Sequence, residues 1–145
     1  ANIGLEIEAS GDMEVDDHHT VEDIGIVLGQ AFKQALEDNK NIERYGMSYV
    51  PMDEALSRVV LDFSNRPYLV CEIDYTNERI GNLTLCNILE FFRAFVNESR
   101  MTLHIANLYG KNDHHIIESV FKAFGKAVKE GITKTSSLQS TKGVL

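Results

Sequence analysis

Four of the five histidines in this chain stand as adjacent pairs, His18–His19 in "DDHHTVED" and His114–His115 in "NDHHIIE". A glutamate follows each pair, Glu22 in one stretch and Glu118 in the other. On a helix, residues three or four apart share a face, while consecutive residues point about 100° apart. His19 and Glu22 are therefore expected to share one ion, with His18 directed at another. The same holds for His115 with Glu118, and for His114. Imidazole and carboxylate donors suit manganese, iron or zinc, and the lack of nearby thiols weakens a structural zinc reading. A helix N-terminus keeps histidine neutral and carboxylates ionised, which also suits ligation. A single such motif is more often a solvated polar face than a metal site. Two copies that use nearly all the histidines favour metal.

The elements that must hold these residues can be read from periodicity. Residues 4–12, "GLEIEASGD", alternate, with Leu5, Ile7 and Ala9 on one side, and predict a strand with one buried face. Val21, Ile24, Val27, Leu28, Ala31, Phe32 and Ala35 recur at helical spacing. That helix should start near Asp16 or Asp17 as N-cap. "SRVVLDF" and "YLVCEIDY" predict strands with "SNRP" as the turn between them. "TLCNILEFFRAFVNESR" predicts a second amphipathic helix, "MTLHIA" a strand, and "NDHHIIESVFKAFGKAVKEG" a third helix. Residues 136–145 read as a polar tail.

The motif belongs to a longer repeat. At an offset of 96, the distance from Asp17 to Asp113, Gly29 falls on Gly125, Ala31 on Ala127 and Lys33 on Lys129. Leu5, Ile7 and Ala9 fall on Met101, Leu103 and Ile105. The chain thus carries two copies of a strand–loop–helix unit. The second copy is preceded by two further strands and a helix, whose counterparts would lie before residue 1. The first copy is expected to lack this opening, roughly fifty residues. The expected divisions are 1–41 as the end of a first half, 42–135 as a second half and 136–145 as a tail, all within one domain.

Composition narrows the function classes. The chain has 145 residues, 43% of them hydrophobic, and a formal net charge of −8. An acidic surface argues against nucleic acid or an anionic membrane as the main partner. No apolar run of ~18 residues predicts a membrane span, and no signal peptide is visible. Cys71 and Cys86 form no CxxC, so a reduced, cytoplasmic protein is expected. Cys71 reads as a small core residue and Cys86 as a helix-start residue with no partner to activate it. Met13, Met47 and Met52 suggest packing only. His104, of opposite parity to Met101, Leu103 and Ile105, reads as a hydrogen-bonded or exposed strand residue. A lesser possibility is a position behind the metal ligands.

Taken in order over nearly the whole chain, "DDHHTVEDIGIVLGQAF", "RYG", "PMDEALSRVVLDFSNRPYL", "EFFRAF", "MTLHI", "NDHHIIESVFKAFGKAV" and "STKGVL" closely resemble the imidazoleglycerol-phosphate dehydratases of histidine biosynthesis. The resemblance implies an α+β fold of the ribosomal protein S5 domain 2-like kind. It is a duplicated half-domain, each half a four-stranded sheet with helices on one face, here with the first half incomplete. It implies trimers assembled into a shell of roughly 24 subunits, with two Mn2+ ions per site between subunits. The implied reaction takes D-erythro-imidazole-glycerol phosphate to imidazole-acetol phosphate plus water. Two metals on the substrate ring would favour its imidazolate, because cations lower ligand pKa values.

On this resemblance His18, His19, Glu22, His114, His115 and Glu118 map onto metal ligands. His18, Glu22, His114 and Glu118 count as catalytic too. Glu90 stands where the family commonly has a further ligand histidine, and a carboxylate can serve manganese as well. Arg44, Arg66, Ser140 and Lys142 map onto phosphate-binding residues, arginine as a fork and lysine as a point charge. Two other readings stay open: a non-catalytic metal-binding scaffold of the same fold, and a dimetal hydrolase of a phosphorylated small molecule.

Overall fold

A computed structural model describes residues 3–12, 14–37 and 41–136. In chain order they form helix α1 (His18–Glu37), strands β1 (Tyr45–Met52), β2 (Ala55–Asp62), β3 (Tyr68–Glu72), β4 (Arg79–Ile80) and β5 (Leu83–Thr84), helix α2 (Asn87–Ser99), strand β6 (Thr102–Tyr109) and helix α3 (Asp113–Gly131). Four strands make one mixed sheet in the order β1-β2-β6-β3, and β4–β5 form a small hairpin. β1, β2 and β6 are antiparallel, whereas β3 runs parallel to β6.

Alternation decides which sheet face is covered. Ala55, Ser57, Val59 and Leu61 of β2 point inward, as do Leu103 and Ile105 of β6. They meet Ile116, Val120, Ala123 and Ala127, the buried stripe of α3. α2 adds Ile88, Phe92, Phe95 and Val96 to the same core. α1 lies against α2, and Gly25 and Gly29 permit the contact. A Cβ on Gly25 would sit 2.6 Å from the Phe91 carbonyl oxygen, and one on Gly29 2.7 Å from that of Phe95. Phe32 then packs edge-on against Phe95, ring centroids 5.6 Å apart.

Three elements differ from expectation, one of them the β4–β5 hairpin, whose second strand takes Thr84 from the expected start of α2. Residues 4–12 form no strand, and Leu5 is 64% exposed. A strand needs a paired neighbour, and no described strand lies beside this segment. β1 was not legible as a strand of its own, because Gly46, Ser48 and Pro51 dilute its pattern. Its edge position explains why Pro51, which has no N–H to donate, is tolerated there. α1, α2, β2, β3, β6 and α3 fall where periodicity puts them. Cys71 packs against the core, and burial pushes its thiol up to about 11. His104 is exposed and tilts against the Tyr68 ring. Met47 is exposed rather than packed, and Met52 Sδ accepts from Lys122 Nζ. Met13 lies outside the described residues.

Candidate metal and substrate site

Both histidine pairs sit in the first turn of a helix, and an aspartate immediately precedes each pair. Asp16 Oδ1 accepts from the His18 backbone N–H at 2.9 Å, a capping bond for α1. In α3 that part falls to Asn112, whose side chain accepts from His114 N–H at 2.9 Å and His115 N–H at 3.4 Å. Asp17 and Asp113 are freed to face inward, and both are buried. Asp17 accepts the Thr84 backbone N–H at 2.7 Å and the Thr84 hydroxyl at 2.6 Å. Asp113 accepts the Thr76 N–H and hydroxyl, each at 3.0 Å, and the Asn77 N–H at 2.9 Å. Burial alone would push both carboxyls up. The hydrogen bonds prevail, holding Asp17 down to about 2 and Asp113 below the usual carboxylate range.

The side-chain pairing is the reverse of the expected one. His18 Nε2 lies 3.8 Å from Glu22, and His114 Nε2 lies 3.4 Å from Glu118. These are i,i+4 pairs, one turn apart on the same face, and they prevail over the i,i+3 pairing of His19 with Glu22 and His115 with Glu118. His115 instead turns its Nδ1 to Glu54 Oε2 at 2.7 Å. His19 has Asp12 at 3.8 Å. Glu90, on the first turn of α2, is held at 2.6 Å by Arg93.

Glu54 is the functional candidate that sequence reasoning missed. It occupies the two-residue turn between β1 and β2, where Met52 pairs with Ala55. Its carboxylate also accepts the backbone N–H groups of Lys111 and Asn112. The His115 hydrogen bond and these two N–H groups hold its pKa down to about 2, and Glu54 in turn raises that of His115. A carboxylate on Nδ1 fixes the tautomer that leaves Nε2 as a metal donor. No local pattern marks it, because 61 residues separate Glu54 from His115. An open cleft of about 730 Å³ lies here, lined by Glu54, Asn77, Arg79, Lys111, His114 and His115.

The family model of imidazoleglycerol-phosphate dehydratase matches residues 1–128. The chain belongs to the imidazoleglycerol-phosphate dehydratase family. Among its relatives, the dehydratase of Clostridioides difficile is 58% identical over 142 residues, covering 97% of this chain and 74% of that protein. The crystal structure of the Staphylococcus aureus dehydratase superposes with a TM-score of 0.83 at 47% identity, covering 88% of this chain and 72% of that one. The structure from Pyrococcus furiosus gives 0.78 at 38% identity, covering 88% and 71%. The chain is thus a dehydratase-family enzyme of histidine biosynthesis with the expected α+β fold. That membership favours the dehydratase reading over the scaffold and hydrolase readings. No helix among the described residues is long and apolar enough to cross a membrane.

The residues expected to bind phosphate fall elsewhere on the chain. Arg44 and Arg66 are brought together by Asp62. Arg44 makes a fork onto it at 2.6 and 3.0 Å, and Arg66 reaches it at 3.8 Å. The fork keeps Arg44 charged, whereas Arg66 is exposed and available to an anion. Asp62 ends β2 and Glu54 immediately precedes it. The arginines therefore lie roughly 25 Å along the strand from His115, at ~3.3 Å per residue. Ser140 and Lys142 lie outside the described residues. Among the described residues, no three His, Cys, Asp or Glu side chains converge to hold one ion.

Proposed function

We propose that this chain dehydrates D-erythro-imidazole-glycerol phosphate to imidazole-acetol phosphate, with His18, His19, Glu22, His114, His115, Glu118 and Glu90 as ligands for two manganese ions per site. The observation that carries the reading is the doubled motif on two helix N-termini in a chain of this family. The donor set fits, since imidazole nitrogen with carboxylate oxygen suits manganese. When bound, the two ions would favour the imidazolate form of the substrate ring. Glu54, by holding Nδ1–H of His115, presents its Nε2. Glu22 and Glu118, each a turn below a histidine, can hold or move a proton beside the ring. The Arg93 grip on Glu90 must open for Glu90 to ligate.

The geometry also favours sites shared between copies of the chain. Each motif offers a histidine–glutamate pair with no third donor beside it among the described residues. Arg44 and Arg66 lie too far along β2 to reach a substrate on the same subunit's α3 motif. A small phosphorylated substrate could touch both only if another subunit supplied one of them, as in trimers that assemble into a 24-subunit shell. Ser140 and Lys142 complete the proposed phosphate site.

The test is turnover of that substrate by protein first stripped of metal and then reloaded. Acetol-phosphate product that appears only with manganese supports the reading. Full turnover in protein shown by elemental analysis to be metal-free would falsify it. Light scattering with and without manganese tests sharing: one unchanged mass would argue against ions between subunits.

A further inference from the structure

The segment from Thr76 to Thr84 belongs to neither copy of the motif, yet it grips both. At one end Thr76 places its N–H and hydroxyl on the two oxygens of Asp113, reinforced by the Asn77 N–H and side-chain amide at 2.9 and 2.7 Å. At the other end Thr84 does the same to Asp17. Each aspartate immediately precedes the first histidine of its motif. One nine-residue stretch thus makes the same two-pronged contact at both repeat-related positions.

The segment is folded so that its ends stay close. Arg79 pairs with Thr84 and Ile80 with Leu83 across the β4–β5 hairpin, which turns at Gly81 with φ of +56°. The Leu85 N–H donates to the Glu78 carbonyl at 2.9 Å and closes the base. Paired Cα atoms are about 5 Å apart, and Thr76 is three residues from Arg79. The two threonine Cα atoms are thereby held within roughly 16 Å of each other. Arg79 also reaches back to Asp17 at 3.7 Å. From the Thr84 end, Asn87 at the start of α2 meets His18 Nδ1 at 3.2 Å. The helices carrying the two motifs do not rely on one another for this spacing, because α1 packs on α2 and α3 on the sheet.

We propose that Thr76 and Thr84 are positioning residues: through Asp113 and Asp17 the 76–84 segment sets the separation and aim of His114 and His18. The inference rests on the metal reading above, because a clasp between two helix ends matters to the reaction only if both ends hold reacting groups. Neither threonine is a proposed ligand of the ions. Each acts through a carboxylate whose backbone carries the ligand.

The test uses Thr84→Val and Thr76→Val, which keep the shape and the backbone N–H and remove one hydroxyl. Thr84→Ser and Thr76→Ser restore it. Metal content is followed by calorimetric titration with manganese, and geometry by the electron paramagnetic resonance spectrum of the bound ion. Assays are run well below the melting temperature of each variant. The valine variants should lose about 10- to 100-fold in kcat or manganese affinity, the range for groups that orient ligands. KM should change less than kcat, the resonance spectrum should change, and the serine variants should recover to within about threefold. If both valine variants keep kcat, affinity and spectrum, with only a lower melting temperature, the contacts are structural and the proposal fails. Should one valine variant not fold, the other carries the same comparison from its own end. Wild-type protein that neither binds manganese nor turns over would instead sink the metal reading, so the two failures are distinguishable.

Discussion

Asp17 and Asp113, each just before a histidine pair, make the same pair of threonine contacts, but the residues that follow meet different surroundings. His115 is 23% exposed and held by Glu54 at 2.7 Å, whereas His19 is 67% exposed with Asp12 3.8 Å away. Farther along, the repeat sets Ile24, Val27 and Ala31 of α1 against Val120, Ala123 and Ala127 of α3. The second set is fully buried against the sheet, while Val27 is 63% exposed. Even the shared glycine differs: Gly29 lies against Phe95 of α2, and a Cβ on Gly125 would meet nothing within 4 Å. Repeated sequence reproduces what is local, the cap and the i,i+4 pair. What packs on it decides the rest.

The first histidine of each copy is where the two should be alike in function. His18→Ala and His114→Ala should each lower kcat/KM by at least about a hundredfold, since residues that merely support ligands are worth 10- to 100-fold. The two losses should be similar, because the i,i+4 pairs are alike. If one variant keeps wild-type kcat/KM, the copies are not two parts of one chemistry. The supports should separate where the ligands do not. Glu54→Gln weakens the hold on His115 and should reduce manganese affinity about 10- to 100-fold by titration. Asp12→Asn, at a long contact between exposed groups, should change it less than about threefold. Equal effects would mean that His115 and His19 are supported alike.

This difference also marks what the sequence could and could not tell. The helices, β2, β3, β6 and the doubled motif follow from spacing, because a periodic apolar stripe and an N-terminal acid act within a few residues. Residues 4–12 alternate as a strand should, but a strand is a relation between segments, and alternation cannot supply the partner. Glu54 was invisible for the same reason, as it reaches His115 only after β2 and β6 pair. The choice of Glu22 for His18 over His19 was open to calculation, since i,i+4 neighbours on a helix lie more directly above one another. The junction of Arg44 and Arg66 on Asp62 depends on the left-handed backbone at Arg44, φ +69°, which no local pattern announces.

Acid should act on both copies through their aspartates. A carboxyl held below its usual pKa means that the unfolded chain binds more protons, so its contribution is complete above about pH 4 and is lost as pH falls toward 2. For Asp17, lowered from 3.8 to about 2, the contribution is about 2 kcal/mol at 1.36 kcal/mol per pKa unit. Acid unfolding of metal-free protein, followed by circular dichroism, should therefore be less steep in Asp17→Asn than in wild type. Asp113→Asn should flatten the curve in the same direction. A wild-type slope in both variants would show that the threonine contacts do not stabilise the ionised form.

The apolar stripes of the two helices should respond unequally to the same deletion. Val120→Ala in α3 removes two methyl groups from a fully buried site. At about 0.8 kcal/mol per buried carbon, with a term for the cavity, it should cost about 2 kcal/mol. Val27→Ala removes the same atoms from the corresponding face of α1, where they are mostly in water. Little transfer energy is lost there, and alanine is the better helix former, because valine gives up side-chain freedom against the preceding turn. The net should lie within about 0.5 kcal/mol of zero and lean toward stabilisation. Urea unfolding of the two variants of the 145-residue chain measures both. A loss at Val27 as large as that at Val120 would mean that this face of α1 is covered in solution, and that the two copies resemble each other more than the exposed stripe indicates.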